Sequence, residues 1–288
     1  MIPLLLSVLS SSLIFVIFKL FKRYGIDTFQ AIVVNYFTAF TIGFTLYGHT
    51  WNPACLEQTS WMYFAGICAL LFIGLFLIMG KSSQLNGVAS TSIAVKMSMA
   101  ISLIFMIIGY GESVTLLKTI GIGLAFVGVY LVSKPSKSES NQTSALWMLI
   151  VLFFGSGALD FILNYVQNTQ LDLLKDSLFS AIGFGLAGIL GLSILIVRYI
   201  LGKSKFQFKN IIAGIILGIP NYFSIYLLLR SYETTGWDDS TVLAITNVSV
   251  VLLSAVIGFT AFKESTTTQK IIGLVSAVLA ICVLYIAN

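Results

Sequence analysis

Gly111-Glu112-Ser113, with Lys118 and Gly121 beyond it, returns 152 residues later as Lys263-Glu264-Ser265, with Lys270 and Gly273. A long apolar run precedes each Glu-Ser pair, and another begins near each Lys. The chain therefore reads as two copies of one unit, 1–135 and 145–288, joined by a polar linker over 136–144. Each copy holds five apolar runs of span length. An odd number of spans turns the second copy upside down in a bilayer relative to the first. The predicted fold is an all-α membrane protein of ten transmembrane helices in two inverted five-helix repeats.

Composition leads to the same class. Of 288 residues 58% are apolar and only 9% charged, with a mean hydropathy of +0.98. A soluble domain carries about 25% charged residues. The runs are continuous rather than alternating with period two, which selects helices over a barrel. A window of about 20 residues per span places them near 2–18, 29–47, 61–79, 88–109, 114–133, 145–166, 177–200, 211–229, 240–262 and 269–287. Lys19, Lys22 and Arg23 follow the first run and no basic residue precedes it, the reverse of a secretory signal, so it is read as a retained span.

Cys55, Cys68 and Cys282 are far apart and the single histidine, His49, falls in a loop. No metal site, catalytic triad or cofactor is expected, and the chain is not read as an enzyme. Asn141-Gln142-Thr143 in the linker matches a glycosylation sequon at the level of chance.

The basic residues sort by side. Lys19, Lys22, Arg23, Lys81, Lys134, Lys137, Arg198, Lys203, Lys205, Lys209, Lys263 and Lys270 lie at the odd-numbered turns, against Lys118, Lys175 and Arg230 at the even ones. The positive-inside rule then makes the odd turns cytoplasmic and puts both termini outside the cell (inner) membrane. The net charge of +5 thus reports orientation, and no nucleic-acid partner is implied.

The Gly-x-Glu-Ser element, a following basic residue and the glycine-spaced run from Gly121 to Leu131 resemble the end of the EamA repeat of the drug/metabolite transporter superfamily. Both halves show the pattern in register. The resemblance implies a ten-helix permease with a central cavity lined mainly by the first, third, fourth, sixth, eighth and ninth helices. Two features depart from that family. The proline often found in its fourth and ninth helices is absent from 88–109 and 240–262. Bacterial members usually keep both termini in the cytoplasm, whereas the charges here place them outside.

Lys96 in the fourth span and Asp160 in the sixth are the charged residues well inside predicted spans. Each costs about 2.5–3.5 kcal/mol at a helix centre, so neither should face lipid. Counted from the odd-turn face they differ in depth by roughly 10 Å at 1.5 Å per residue. A zwitterionic substrate bridging the two would fit that spacing at least as well as a direct ion pair. Asp160 also stands where the small multidrug resistance proteins, relatives in the superfamily, carry a first-helix carboxylate, and it is the candidate proton-coupling group. The matching residue of the first span, near Phe15, is apolar.

Asn164, Asn221, Tyr222, Tyr226 and Asn247 complete the candidate substrate-binding set, with Pro220 freeing a carbonyl beside Asn221 and Tyr222. Asn35, Tyr63 and Tyr165 are further polar residues in spans. Trp51, Trp61, Trp147 and Trp237 lie near span ends and are read as interface anchors. Gly183-x-Gly185-x-x-Gly188 matches a dinucleotide fingerprint in letters only; with no strand before it, it reads as helix packing, as does Gly214-x-x-x-Gly218.

The first functional reading is a monomeric secondary transporter in the lipid bilayer. It moves a small polar or amphipathic metabolite, such as an amino acid or derivative, outward across the cell membrane by alternating access, with protons as a candidate coupling ion. The alternatives are a proton-coupled efflux pump for organic cations and a non-transport protein handling lipid-linked sugars.

Overall fold

A computed structural model describes residues 1–51, 53, 60–110, 114–133, 146–169, 176–237 and 239–287. Cys55, Glu112, Ser113, Lys175, the 136–144 linker and its sequon lie outside them. Every regular element among the described residues is helical. The helices are α1 (Ile2–Arg23), α2 (Thr28–Tyr47), α3 (Ser60–Leu85), α4 (Val88–Met97), α5 (Met99–Tyr110), α6 (Leu116–Ser133), α7 (Leu146–Thr169), α8 (Asp176–Ile200), α9 (Phe208–Thr235), α10 (Asp239–Thr260) and α11 (Thr268–Ala287). Among the described residues eight stretches are long and apolar enough to cross a membrane, with Leu116–Val132 and Ile245–Thr260 as shorter apolar helices. The protein is an all-α, multi-pass membrane protein. Helices prevail because hydrocarbon offers no partner to a backbone N–H or C=O.

The chain packs as two compact units, each drawing on both halves of the sequence. One comprises Met1–Leu20, Ile78–Phe161 and Ser224–Asn288; the other comprises Phe21–Leu77 and Ile162–Phe223. In the first unit α6 lies against α11 and α4 against α10. A Cβ on Gly121 would come within 2.6 Å of Leu284, and one on Gly273 within 2.7 Å of Val132. Gly273 and Leu284 are the residues 152 positions after Gly121 and Val132, so the two contacts are reciprocal, as a two-fold relation requires. Ser276 donates to the carbonyl of Leu124, its own counterpart, at 2.9 Å. The low-numbered end of α6 thus meets the high-numbered end of α11, and the two helices run antiparallel. The helix starts repeat as well: Thr115 Oγ1 accepts from Lys118 N at 3.2 Å and Thr267 Oγ1 from Lys270 N at 3.3 Å.

In the second unit α2 is the hub. Phe40 meets Gly185, Phe37 meets Gly188 and Val33 meets Gly191, so α2 and α8 are also antiparallel. The Gly183–Gly188 run is a surface on which aromatic rings of α2 and α3 rest, as a packing motif requires. Gly214 and Gly218 bring α9 onto α2, where a Cβ would lie 2.6 Å from the Ala31 carbonyl and 2.8 Å from that of Asn35.

A polar knot closes one end of this unit. Asp27 caps α2, accepting from Phe29 N at 2.9 Å and Gln30 N at 3.3 Å. Gln30 Nε2 reaches Ser204 Oγ at 2.8 Å and the Lys205 carbonyl at 2.9 Å, and Asn210 Nδ2 donates to Gln30 Oε1 at 2.8 Å. Gln30 and Asn210 are buried, so satisfying each other is what makes them tolerable.

Trp61 corrects the reading of the tryptophans as interface anchors. It is buried at 4% exposure, edge-on to Phe179, because its start-of-helix position falls beneath α8. Trp147 and Trp237 are exposed at helix ends.

Candidate functional site

The fourth span is interrupted for one residue: α4 ends at Met97 and α5 begins at Met99, with Ser98 between them in right-handed helical conformation and no proline involved. The Ser98 hydroxyl donates back to the Val95 carbonyl at 2.6 Å, a local bond that competes with the helical ladder and bends helices. Ile101 N and Ser102 N both then converge on the Ser98 carbonyl, at 2.9 and 3.1 Å. α7 presses against this point through Gly157, where a Cβ would lie 2.6 Å from the Ser98 carbonyl and 2.5 Å from Ile101 Cβ. The span equivalent by sequence, α10, has no such break.

One turn beyond Gly157, α7 carries Asp160. Its Oδ2 lies 3.3 Å from Ser98 Oγ. A hydroxyl has one proton, so Ser98 serves either the Val95 carbonyl or the Asp160 carboxylate at any moment. Phe161 packs on Phe105 with ring centroids 5.6 Å apart, which holds this stretch of α7 to α5. Asp160 is exposed and Lys96 half-buried.

Lys96 stands on α4, two residues before the break. No ion pair closer than 4.0 Å joins Lys96 and Asp160. Across the break, buried Asn247 of α10 points its Nδ2 at Met99 Sδ, 3.6 Å away. Lys96, Ser98, Asp160 and Asn247 therefore gather at the broken span within one unit. Tyr226, half-buried on α9, belongs to the same unit.

Asn164, Asn221 and Tyr222 belong to the other unit. Asn164 is half-buried. Pro220 lies inside a continuous α9 and does not end it. Asn221 and Tyr222 are buried, and the Tyr222 ring fills the space over Gly43, where a Cβ would lie 2.7 Å from it.

The sequence reading passed over Ser98 and Tyr36. Tyr36 is buried, donates to the Phe72 carbonyl at 2.6 Å and lies near Phe76 and Phe184. A serine amid apolar residues carries no sequence signal of a break; only its neighbour Lys96 hinted that this level of the span is unusual. Among the described residues no group of His, Cys, Asp and Glu could hold a metal ion.

What these features define is a multi-pass, all-α membrane protein with two charged side chains inside its spans. Residues 1–134 match the model of the EamA-like transporter family. The match ends with the fifth span. The chain is also 26% identical over 289 residues to an uncharacterized protein of Haemophilus influenzae (strain ATCC 51907 / DSM 11121 / KW20 / Rd), covering 98% of this chain and 97% of that one. A solved structure, described only as a crystal structure of a protein, shares the fold with a TM-score of 0.57 at 12% identity over 96% of each chain.

Proposed function

We propose that the chain is a monomeric secondary transporter for a small polar or amphipathic metabolite bearing separated opposite charges, such as an amino acid or derivative. It works by alternating access between inverted repeats, in the direction of export. The observation that carries the reading is a mid-span cation and carboxylate with no ion pair closer than 4.0 Å between them, beside the interruption at Ser98. In such a site the substrate's ammonium meets Asp160, its carboxylate meets Lys96, and Asn247 and Tyr226 supply neutral polar contacts. Asn164, Asn221 and Tyr222 are assigned to the substrate path on residue type and span position alone. The antiparallel meeting of counterpart spans, α6 with α11 and α2 with α8, supports the inverted repeat over 1–135 and 145–288.

Ser98 gives the mechanism a coupling element. With Asp160 charged and empty, its carboxylate competes with Val95 for the single hydroxyl proton. An arriving ammonium or proton satisfies Asp160, and the Ser98 proton returns to Val95, resetting the bend. A second reading, proton-coupled efflux of organic cations, is favoured by one observation: Asp160 is the more exposed of the two charges. The purified protein, screened by thermal shift, tests both, since a ligand that binds the folded state raises its transition temperature by mass action. Stabilisation by zwitterions supports the first reading and stabilisation by organic cations alone the second. An absence of stabilisation by either class overturns the paired-charge site.

The orientation follows from the charge split. In one unit Lys209 reaches the Tyr24 carbonyl, joining the first and seventh turns; in the other Lys19 reaches Glu264 of the ninth. Both contacts support a common face for odd turns within each unit. With that face cytoplasmic in the inner membrane, a C-terminal alkaline phosphatase fusion is expected to be active and a C-terminal green fluorescent fusion dark. The reverse pattern would invert the assignment.

A further inference from the structure

The repeated Glu-Ser element has a role that the binding site does not explain. Lys263, the last residue before Glu264, has φ of 52°, the only positive φ at a non-glycine among the described residues. Left-handed backbone is unfavourable at a residue with a Cβ, so the surroundings must hold it there. Glu264 N donates to the Gly258 carbonyl at 3.0 Å, which folds the turn back onto α10. The side chain is thereby aimed at the start of α4.

There Gly87, at φ of 96°, precedes the first helical residue and has no side chain to cap the free N–H groups. The cap arrives from 176 residues away. Glu264 Oε1 accepts from Val88 N at 2.7 Å and Oε2 from Ala89 N at 3.3 Å, while Lys19 of α1 stands 3.4 Å from Oε1. Gly258 and Gly87 leave the space the carboxylate fills; a Cβ on the former would lie 2.6 Å from Oε2. A negative group at a helix N-terminus satisfies orphan donors and the macrodipole together. Beside it runs a narrow cleft lined by Ser90, Ile93, Val132, Phe259 and Lys270, and Lys270 donates to Ser265 at 2.9 Å.

Three chain segments, α1, the start of α4 and the turn after α10, thus close on one carboxylate. We infer that this turn is a latch: Glu264 seals the odd-turn end of its unit by docking on α4, and it withdraws when that end opens. A strained residue behind the carboxylate, and partners that hold it by two hydrogen bonds and one ion pair, make the contact releasable. The device concerns opening of the fold and stands whether or not the paired-charge site binds a zwitterion.

The test is thiol labelling in lipid nanodiscs, with the three native cysteines replaced by Ser and Ser90→Cys introduced. Ser90 is 3% exposed beside the latch. Glu264→Gln keeps an acceptor but loses the charge. It is expected to raise the labelling rate of Cys at this position by about tenfold or more through a shift toward the open state, while the transition temperature stays close to that of the parent. Lys19→Gln should act in the same direction and more weakly, and it decides the matter if Glu264→Gln does not fold. Unchanged labelling in the variant that folds, whatever its transition temperature, would show a static cap and overturn the latch.

Discussion

Asp160→Asn is expected to abolish ligand stabilisation and transport while the protein still inserts, folds and melts cooperatively. Asn keeps the shape of the side chain and can still accept from Ser98 Oγ, now 3.3 Å from the carboxylate, so packing around Gly157 and Phe161 is preserved. What it removes is the negative charge that meets an ammonium. Truncating one side of a hydrogen-bonded charge pair costs about 2–5 kcal/mol, which is a loss of affinity of at least roughly thirtyfold. Isothermal titration of the best stabilising ligand from the thermal screen provides the measurement. Undiminished affinity in a folded Asp160→Asn protein would reduce Asp160 to a support for the broken span.

The second expected result separates a substrate clamp from a structural ion pair. In the ligand-free protein, Lys96→Met and Asp160→Asn should each leave the transition temperature nearly unchanged, and their effects on stability should add. The reason is geometric. No contact closer than 4.0 Å joins the two groups, Asp160 is exposed, and Ser98 already offers the carboxylate a proton. Were they a buried pair, removing one charge would strand the other at a cost of about 3–5 kcal/mol, and removing both would recover much of it. A double-mutant cycle from thermal or denaturant unfolding reads the coupling directly. A coupling energy above about 2 kcal/mol would refute the clamp; independent sites agree within about 0.5 kcal/mol. Both single variants should nevertheless weaken ligand binding, Lys96→Met through the substrate's carboxylate.

Several features were legible from residue pattern alone, for physical reasons that can be named. The spans at 2–18 and 269–287 reappear as α1 and α11 because an apolar run of that length has one stable fate in hydrocarbon. The glycines at 183, 185, 188, 214 and 218 were readable as packing surfaces, since only a missing Cβ lets a ring or a carbonyl come so near. Residues 152 positions apart meet reciprocally where α6 packs on α11, down to Ser276 on Leu124. By contrast, Trp61 looked like its fellow tryptophans at span ends, and only its place under α8 buries it. The break at Ser98 was invisible too, because a serine bends a helix only where a neighbour such as Gly157 and an acceptor such as Asp160 are brought against it.

By itself the sequence determined that this chain lives in a membrane as a multi-pass helical protein, how its basic residues sort among the turns, and that Lys96 and Asp160 are too costly to face lipid. Those properties are sums over neighbouring residues, namely apolar length, charge per turn and the cost of a lone charge in lipid. Only the tertiary structure decided which span is broken, which polar groups meet there, and that Glu264 caps a helix beginning 176 residues earlier. These depend on which helix backbones approach closely enough to exchange hydrogen bonds, and that proximity is a property of the packed chain that no local stretch encodes.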